Sequence, residues 1–402
     1  MKKNIFMLLY LKYPDIRVEK EVSSLLKKGY SITIMAANDG NQAEITTEGN
    51  LTIYRPHEWS YSYLWTGFHY FWGSINFVNK WVLNKCQEYI SDKHFDVIHV
   101  HDLRLVKVGV LLAKQFNMKV IADLHENYPA AIKSYVMDNS IKSIIRRYSV
   151  DRYSRWVAYE KQILQEADAV IAVVDEAKTR IVRDCKISPE KVYVVSNTES
   201  MNYFGKMSID TAIANNYKGK FVISYIGGVD FHRGLDTVIK AMPQILKKKT
   251  NAILLIVGGK DDHCERSLKA LVKSCGVEEE VRFLGRIPFS QVPSYIAASD
   301  MGIIPQYASE HGNYTVPHKL FQYMVLGKPV IVSDCYPLKR IVSEYDCGLV
   351  FNSNDSGSLG ECFAKPVDSD KLGINALKAV REKYNWEEDE QRLFALYSSL
   401  MN

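Results

Sequence analysis

The chain has 402 residues, too many for one typical core, so two domains are expected. Its residues are 47% hydrophobic and 24% charged, a balance that argues against a disordered or fibrous protein. A formal net charge of +5 is too small to imply nucleic-acid binding.

The N-terminus, Met1-Lys2-Lys3-Asn4, runs into an apolar stretch from Ile5 to Leu11. That stretch reads as a first strand, and no small-residue cleavage site follows it, so no signal peptide is expected. Strands are then predicted at Ile5–Leu9, Ser31–Met35, Val97–Val100, Val120–Asp123, Ala169–Val173 and Val192–Val195. Amphipathic helices fall between them, for example Arg17–Lys28 and Leu105–Phe116. Residues 198–219 are polar and weakly periodic, and read as a linker. A second alternating set follows, with strands at Phe221–Ile226, Ile253–Val257, Val281–Leu284, Met301–Ile304, Val330–Val332 and Leu349–Phe351. Its helices include Leu235–Leu246 and Ser267–Cys275.

Short continuous apolar strands separated by helices predict parallel sheets covered on both faces. The expected fold class is α/β, with two Rossmann-like domains at residues 1–200 and 201–385 facing each other across a cleft. A terminal helix, 386–400, is expected to pack back on the first domain. Ligands bind at the carboxyl ends of such strands, so the cleft is the expected active site. The seven cysteines (Cys86, Cys185, Cys264, Cys275, Cys335, Cys347, Cys362) are odd in number and lack CxxC spacing. They fit reduced thiols in a cytoplasmic protein better than disulfides or zinc ligands.

Three constellations carry chemistry. In the first domain, Asp123-Leu124-His125-Glu126 ends a buried strand, where His125 can bond a substrate hydroxyl or act as acid or base. His99 and His101 read as sheet-end structure, and no histidine has the spacing of a metal site. In the second domain, Gly227-Gly228-Val229-Asp230-Phe231-His232-Arg233-Gly234 joins a strand to a helix. Glycines there let backbone approach a ligand, and Arg233 at the helix start suits a diphosphate. The pattern is neither GxGxxG nor a Walker lysine motif. The third runs from His311 to Asp334. A polar loop enters a helix predicted to begin near Pro317, which carries Lys319 and Gln322 and stops at Gly327-Lys328-Pro329. Its start reads as a phosphate seat, with Gln322 in reach of a hydroxyl on the same ligand.

Between Glu58 and Lys80 there is no Asp, Glu, Lys or Arg, and the run is rich in Trp and Tyr. Residues 133–155 carry Lys133, Lys142, Arg146, Arg147, Arg152 and Arg155 against Asp138 and Asp151. An aromatic patch (59–83) with a basic one (133–155) suits contact with an anionic membrane surface, short of spanning it.

Taken in order, these motifs resemble those of the family-4 glycosyltransferases, nearly end to end. The resemblance rests on Asp15 to Glu21, Phe95 to Asp102, Asp123 to Glu126, Val194 to Asn197, Gly227 to Gly234, Val281 to Gly285, and Pro317 to Met324 with Gly327 to Val330. It implies the GT-B fold, a nucleotide-sugar donor in the second domain and an acceptor in the first. It implies transfer with retention and no metal or other cofactor. By this likeness Arg233 meets the donor diphosphate, His125 lies near the transferred sugar, and Gly285-Arg286-Ile287 holds the base. The chain departs from the family twice. The glutamate that holds the ribose is Gln322, and the one that contacts the sugar falls at Tyr314, where Asn313, Thr315 or Glu310 would have to substitute. The basic residue that often precedes Arg233 falls at Gly228, with Lys319 or Lys260 as replacements.

The donor-binding set is therefore Gly227, Gly228, Arg233, Arg286, Asn313, Tyr314, Thr315, Lys319 and Gln322, and the catalytic pair is His125 and Arg233. The expected activity is a retaining hexosyl- or N-acetylhexosaminyl-transferase, using a UDP-sugar and a glycan or lipid-linked acceptor in surface polysaccharide synthesis. It would sit peripherally on the inner face of the cytoplasmic membrane. No carboxylate is placed as a double-displacement nucleophile, so front-face attack is expected. The alternatives are a non-catalytic nucleotide- or glycan-binding protein of this fold and a nucleotide-sugar epimerase; a dinucleotide oxidoreductase lacks its glycine fingerprint.

Overall fold

The structure is a computed structural model that describes residues 3–38, 40, 42–59, 76–135, 151–364 and 366–401. The chain divides into two compact units, Met1–Ser196 with Asp389–Asn402, and Asn197–Glu388.

The first unit is built on an eight-stranded sheet of order β3-β4-β2-β1-β5-β6-β7-β8. Its strands are β1 (Asn4–Lys12), β2 (Ser31–Ala37), β3 (Ile45–Glu48), β4 (Leu51–Tyr54), β5 (Val97–His101), β6 (Lys119–Leu124), β7 (Ala169–Ala172) and β8 (Val192–Val194). All pairs are parallel except β3 with β4. That hairpin is absent from the strands predicted above. Its residues are half-buried or exposed, so no apolar run marks it. β5 and β7, by contrast, are buried at every residue, as strands covered on both faces must be.

The helix Ile16–Lys27 follows β1, with Asp15 as N-cap accepting from the Arg17 and Val18 amides. The last helix, Trp386–Met401, sends Leu393, Leu396 and Tyr397 into the first unit's core. There the Tyr397 hydroxyl lies 2.7 Å from His99 Nδ1, and Ser24 Oγ donates to Glu390.

The second unit holds a six-stranded sheet of order β11-β10-β9-β12-β13-β14, parallel throughout. Its strands are β9 (Phe221–Ile226), β10 (Ala252–Val257), β11 (Val281–Gly285), β12 (Met301–Ile304), β13 (Val330–Ser333) and β14 (Gly348–Phe351). The helix Leu235–Leu246 shows why the local fold forms. Leu235, Val238, Ile239 and Met242 recur at helical spacing and are all buried against the sheet, each worth roughly 1.5–3 kcal/mol. The expected linker is not loose chain. Phe204 is fully buried and packs against Phe289 with ring centroids 5.9 Å apart.

The chain leaves β9 toward β10 and β11, then returns to β12 on the other side of β9. The carboxyl ends of β9 and β12 therefore flank a switch point, the place where such sheets hold ligands. Gly227 follows β9, and the loop carrying His311 to Thr315 follows β12.

Candidate functional site

In the first unit, β5 and β6 end side by side and bring together His99, His101, Asp123 and His125. Asp123 is the hub. Its Oδ1 accepts from Arg17 Nη2 at 2.5 Å, and its Oδ2 lies 3.1 Å from His101 Nδ1, 3.4 Å from His125 Nε2 and 3.5 Å from His99 Nε2. Arg17 Nε also donates to Glu21 Oε1 at 3.2 Å, one helical turn on. Burial opposes the Asp123 charge, but the Arg17 and His125 charges hold its carboxyl well below the usual range.

His125 has a carboxylate on each side. Nδ1 is 3.6 Å from Asp102 Oδ1, and Nε2 faces Asp123. Burial and the Arg17 charge work against protonation, yet Asp102 and Asp123 outweigh them and raise the imidazole to about 9. Asp102 is itself unusual, with φ 67 and ψ 146, a conformation that a side chain beyond glycine rarely adopts. Its amide donates to the Asp123 carbonyl at 2.9 Å, which holds the turn in place. The sequence marks His125 but not this environment; the i, i+4 pair Arg17–Glu21 and the aspartate after His101 were the available signals.

Glu21, His99, His101 and Asp123 each offer a ligand atom within 4.8 Å of the others, all buried. Arg17 already binds one oxygen of each carboxylate and supplies the positive charge a cation would bring. The cluster is built as an internal ion network.

In the second unit, the turn after β9 and the loop after β12 are stitched together. Gly234, at φ 70, lies so close to β12 that a Cβ there would be 2.0 Å from the Pro305 carbonyl oxygen. Tyr307 N donates to His232 O at 3.2 Å, and the Tyr307 hydroxyl donates to Asp236. This brings Gly227, Gly228, Arg233 and Lys319 to one end of the sheet. The His232 and His311 rings meet edge to face with centroids 5.9 Å apart. Burial, then the Arg233 charge, lowers His232 to about 3 and His311 to about 4, so both are neutral at physiological pH. Among the described residues, Arg233 Nε and Lys319 Nζ are buried with no hydrogen-bond partner.

The third segment differs from its expected form. The helix spans Lys319–Val325 and starts after Pro317, because Pro317 and His318 lie in a tighter turn in which Leu320 N donates to Pro317 O at 3.1 Å. Seven residues give little dipole, so the helix start by itself is a weaker phosphate seat than expected. Gln322 is 5% exposed, and its Nε2 donates to Glu199 Oε2 at 3.3 Å and lies 3.3 Å from His318 Nδ1. Glu199, in the expected linker, is a neighbour the sequence did not reveal.

Asn313 and Tyr314 occupy a 3₁₀ turn, Gly312–Tyr314, with Asn313 Oδ1 accepting from Tyr336 N. Thr315 is extended. Arg286 is exposed just beyond β11, and Lys260 is exposed beyond β10.

The segments expected to contact a membrane, 59–83 and 133–155, fall mostly on residues 60–75 and 136–150, outside the described residues. Trp59, at the edge of the aromatic run, is a core residue, 1% exposed and packed edge-on against Trp81. Among the described residues, no helix is long and apolar enough to cross a membrane.

Two family models match the chain: Glycosyltransferase Family 4 over residues 17–198 and Glycosyl transferases group 1 over residues 208–382. Among curated relatives, D-inositol 3-phosphate glycosyltransferase of Nocardia farcinica is 21% identical over 77% of this chain and 67% of its own. Phosphatidyl-myo-inositol mannosyltransferase of Mycobacterium leprae is 22% identical over 79% and 77%. An uncharacterised glycosyltransferase of Methanocaldococcus jannaschii is 22% identical, the match spanning 60% of this chain and 61% of that relative. Among solved structures, sucrose-phosphate synthase from Thermosynechococcus elongatus superposes with a TM-score of 0.79 at 20% identity, covering 99% of each chain. HepE of Anabaena, solved with UDP, gives 0.71 at 14% identity over 99% and 100%.

Proposed function

The chain belongs to the family-4 glycosyltransferases and is a glycosyltransferase of GT-B fold; from that premise we propose that it moves a sugar from a UDP-sugar, with retention, to a glycan or lipid-linked acceptor in surface polysaccharide synthesis. One observation carries the donor reading. Arg233 stands at the switch point on the turn that carries Gly227 and Gly228, with Nε buried and unpartnered. A guanidinium left in that state is suited to an incoming diphosphate and to the charge that develops on it as the glycosidic bond breaks. Positive charge from the protein serves the leaving group, and no metal is required in this scheme. UDP as the nucleotide is supported by the likeness to HepE, which was solved with UDP, and a lipid-linked acceptor by the name of the mannosyltransferase relative.

His125 is the group proposed to meet the transferred sugar. Held between Asp102 and Asp123, it is an imidazolium at neutral pH, better suited to donate a hydrogen bond to a sugar hydroxyl than to take a proton. Peripheral membrane contact through residues 59–83 and 133–155 rests on their aromatic and basic composition.

A thermal-shift screen of UDP, GDP and their sugars tests the donor assignment. UDP and at least one UDP-sugar are expected to raise the melting temperature and GDP to leave it unchanged. Stabilisation by GDP alone would overturn the choice of UDP.

A further inference from the structure

Lys319 has an unusual environment for a cation. Its Nζ is buried, lies 3.4 Å from the centroid of the Tyr225 ring, and has no hydrogen-bond partner among the described residues. The amine is aimed at Gly227. A Cβ built there would stand 2.7 Å from Nζ and 3.0 Å from Cε, so the missing side chain is what admits the lysine tip. Gly227 also has φ 135, which a larger residue would resist.

Two charged groups face the amine, Arg233 and Asp230, both from the turn after β9. His232, on the same turn, is the further titratable group near the amine. Tyr225, on β9 itself, offers only its ring face, because its hydroxyl donates to Gly228 O at 2.5 Å. Gln322 on Lys319's own helix is occupied with Glu199 and His318. Asp230 is exposed and is the single carboxylate named among these neighbours. Burial first, and the Arg233 charge second, hold the Lys319 amine well below the usual lysine range.

An uncharged amine is stable in such a place, whereas an ammonium needs an anion beside it. The turn after β9 lacks a second cation of its own, since position 228 is glycine. Lys319 reaches the same Gly227–Arg233 turn from the helix that follows the β12 loop.

Resting on the donor reading above, we propose that Lys319 is a second ligand of the donor diphosphate, reaching it past Gly227, and that the site takes up one proton as the diphosphate binds. The lone pair of Nζ accepts a proton from solvent, and the resulting N–H groups donate to phosphate oxygens. The free site is then less positive than its residues imply, and its second charge appears only when an anion arrives. Lys319 is a binding and positioning residue here; no bond to it is made or broken beyond N–H.

Calorimetric titration of UDP into the full chain at about pH 8, where the nucleotide is fully ionised, tests this in two buffers of different ionisation enthalpy. The observed heat should differ between HEPES and Tris by an amount equal to uptake of about one proton per UDP. Uridine, which carries no phosphate, should show no such difference. Lys319→Met should bind UDP about tenfold more weakly or worse, with buffer-independent heat, while melting no lower than the wild type. Lys319→Gln is the second variant should the methionine not fit, and the wild-type comparison needs no variant. Tight UDP binding with buffer-independent wild-type heat would overturn the proposal and leave the donor reading standing. Absence of UDP and GDP binding to the wild type would remove the donor reading and this proposal with it.

Discussion

Gln322 donates its side-chain amide to the Glu199 carboxylate across 3.3 Å, and His318 Nε2 lies 2.7 Å from the same oxygen. Glu199 is 2% exposed and Gln322 5%, so the exchange occurs out of water. This gives a physical reason for the residue at 322. A glutamate there would put a second carboxylate against a buried first one. Gln322→Glu is expected to destabilise the second unit by about 1–3 kcal/mol near neutral pH, less at acid pH, where one carboxyl takes a proton. Pairing it with Glu199→Gln should restore most of the loss. Urea unfolding of the three variants at both pH values measures it; an unaffected single variant would contradict the reading.

His125 makes stability depend on pH with a defined sign. Its folded value, about 9, lies above the value of about 6.5 expected in the unfolded chain. The folded state thus binds the proton more tightly. The stabilisation is fully present below about pH 6.5 and is lost as pH rises through 9, on the order of 3 kcal/mol in all. His125→Ala should flatten the stability profile between those limits. An unchanged slope in unfolding experiments would contradict the carboxylate sandwich.

Asp102 combines strain with electrostatics. Asp102→Gly relieves a backbone at φ 67 but removes the carboxylate 3.6 Å from His125 Nδ1. Stability should therefore change little, while the His125 titration midpoint, followed by NMR of the ring protons, falls by roughly one unit. A midpoint that stays in place would assign the whole shift to Asp123.

Tyr397 ties the terminal helix to the first unit through His99. Tyr397→Phe leaves the fully buried His99 Nδ1 without the hydroxyl 2.7 Å away. A loss of about 1–3 kcal/mol is expected from denaturant unfolding, with no cavity to account for it.

Much of the fold could be read from apolar runs, because a strand covered on both faces leaves no other pattern. β9 falls where expected, Phe221–Ile226, and the Leu235–Leu246 helix likewise. The β3–β4 hairpin escaped because half-buried Thr46 and Thr52 and exposed Thr47 carry no such signature. Residues singled out from motifs, Gly227, Arg233 and Lys319, lie together at one end of the second sheet. Their states were illegible. That the Lys319 amine is unpaired depends on Tyr225 and Gly227, far away in the chain. That Gln322 faces Glu199 depends on the folding of the linker against the second unit. Long-range pairing of buried polar groups leaves no periodic trace, and His125 between Asp102 and Asp123 is a further case.

The most direct test of the account is nucleotide release from a UDP-sugar by the wild type and by Arg233→Ala, both checked for folding by thermal melting. The wild type should release UDP, faster once a suitable glycan or lipid-linked acceptor is added. The variant should lose at least about a hundredfold in rate, since a charge-assisted contact to the leaving group is removed, with the melting temperature nearly unchanged. Near-normal release by folded Arg233→Ala would contradict the assignment of the donor site.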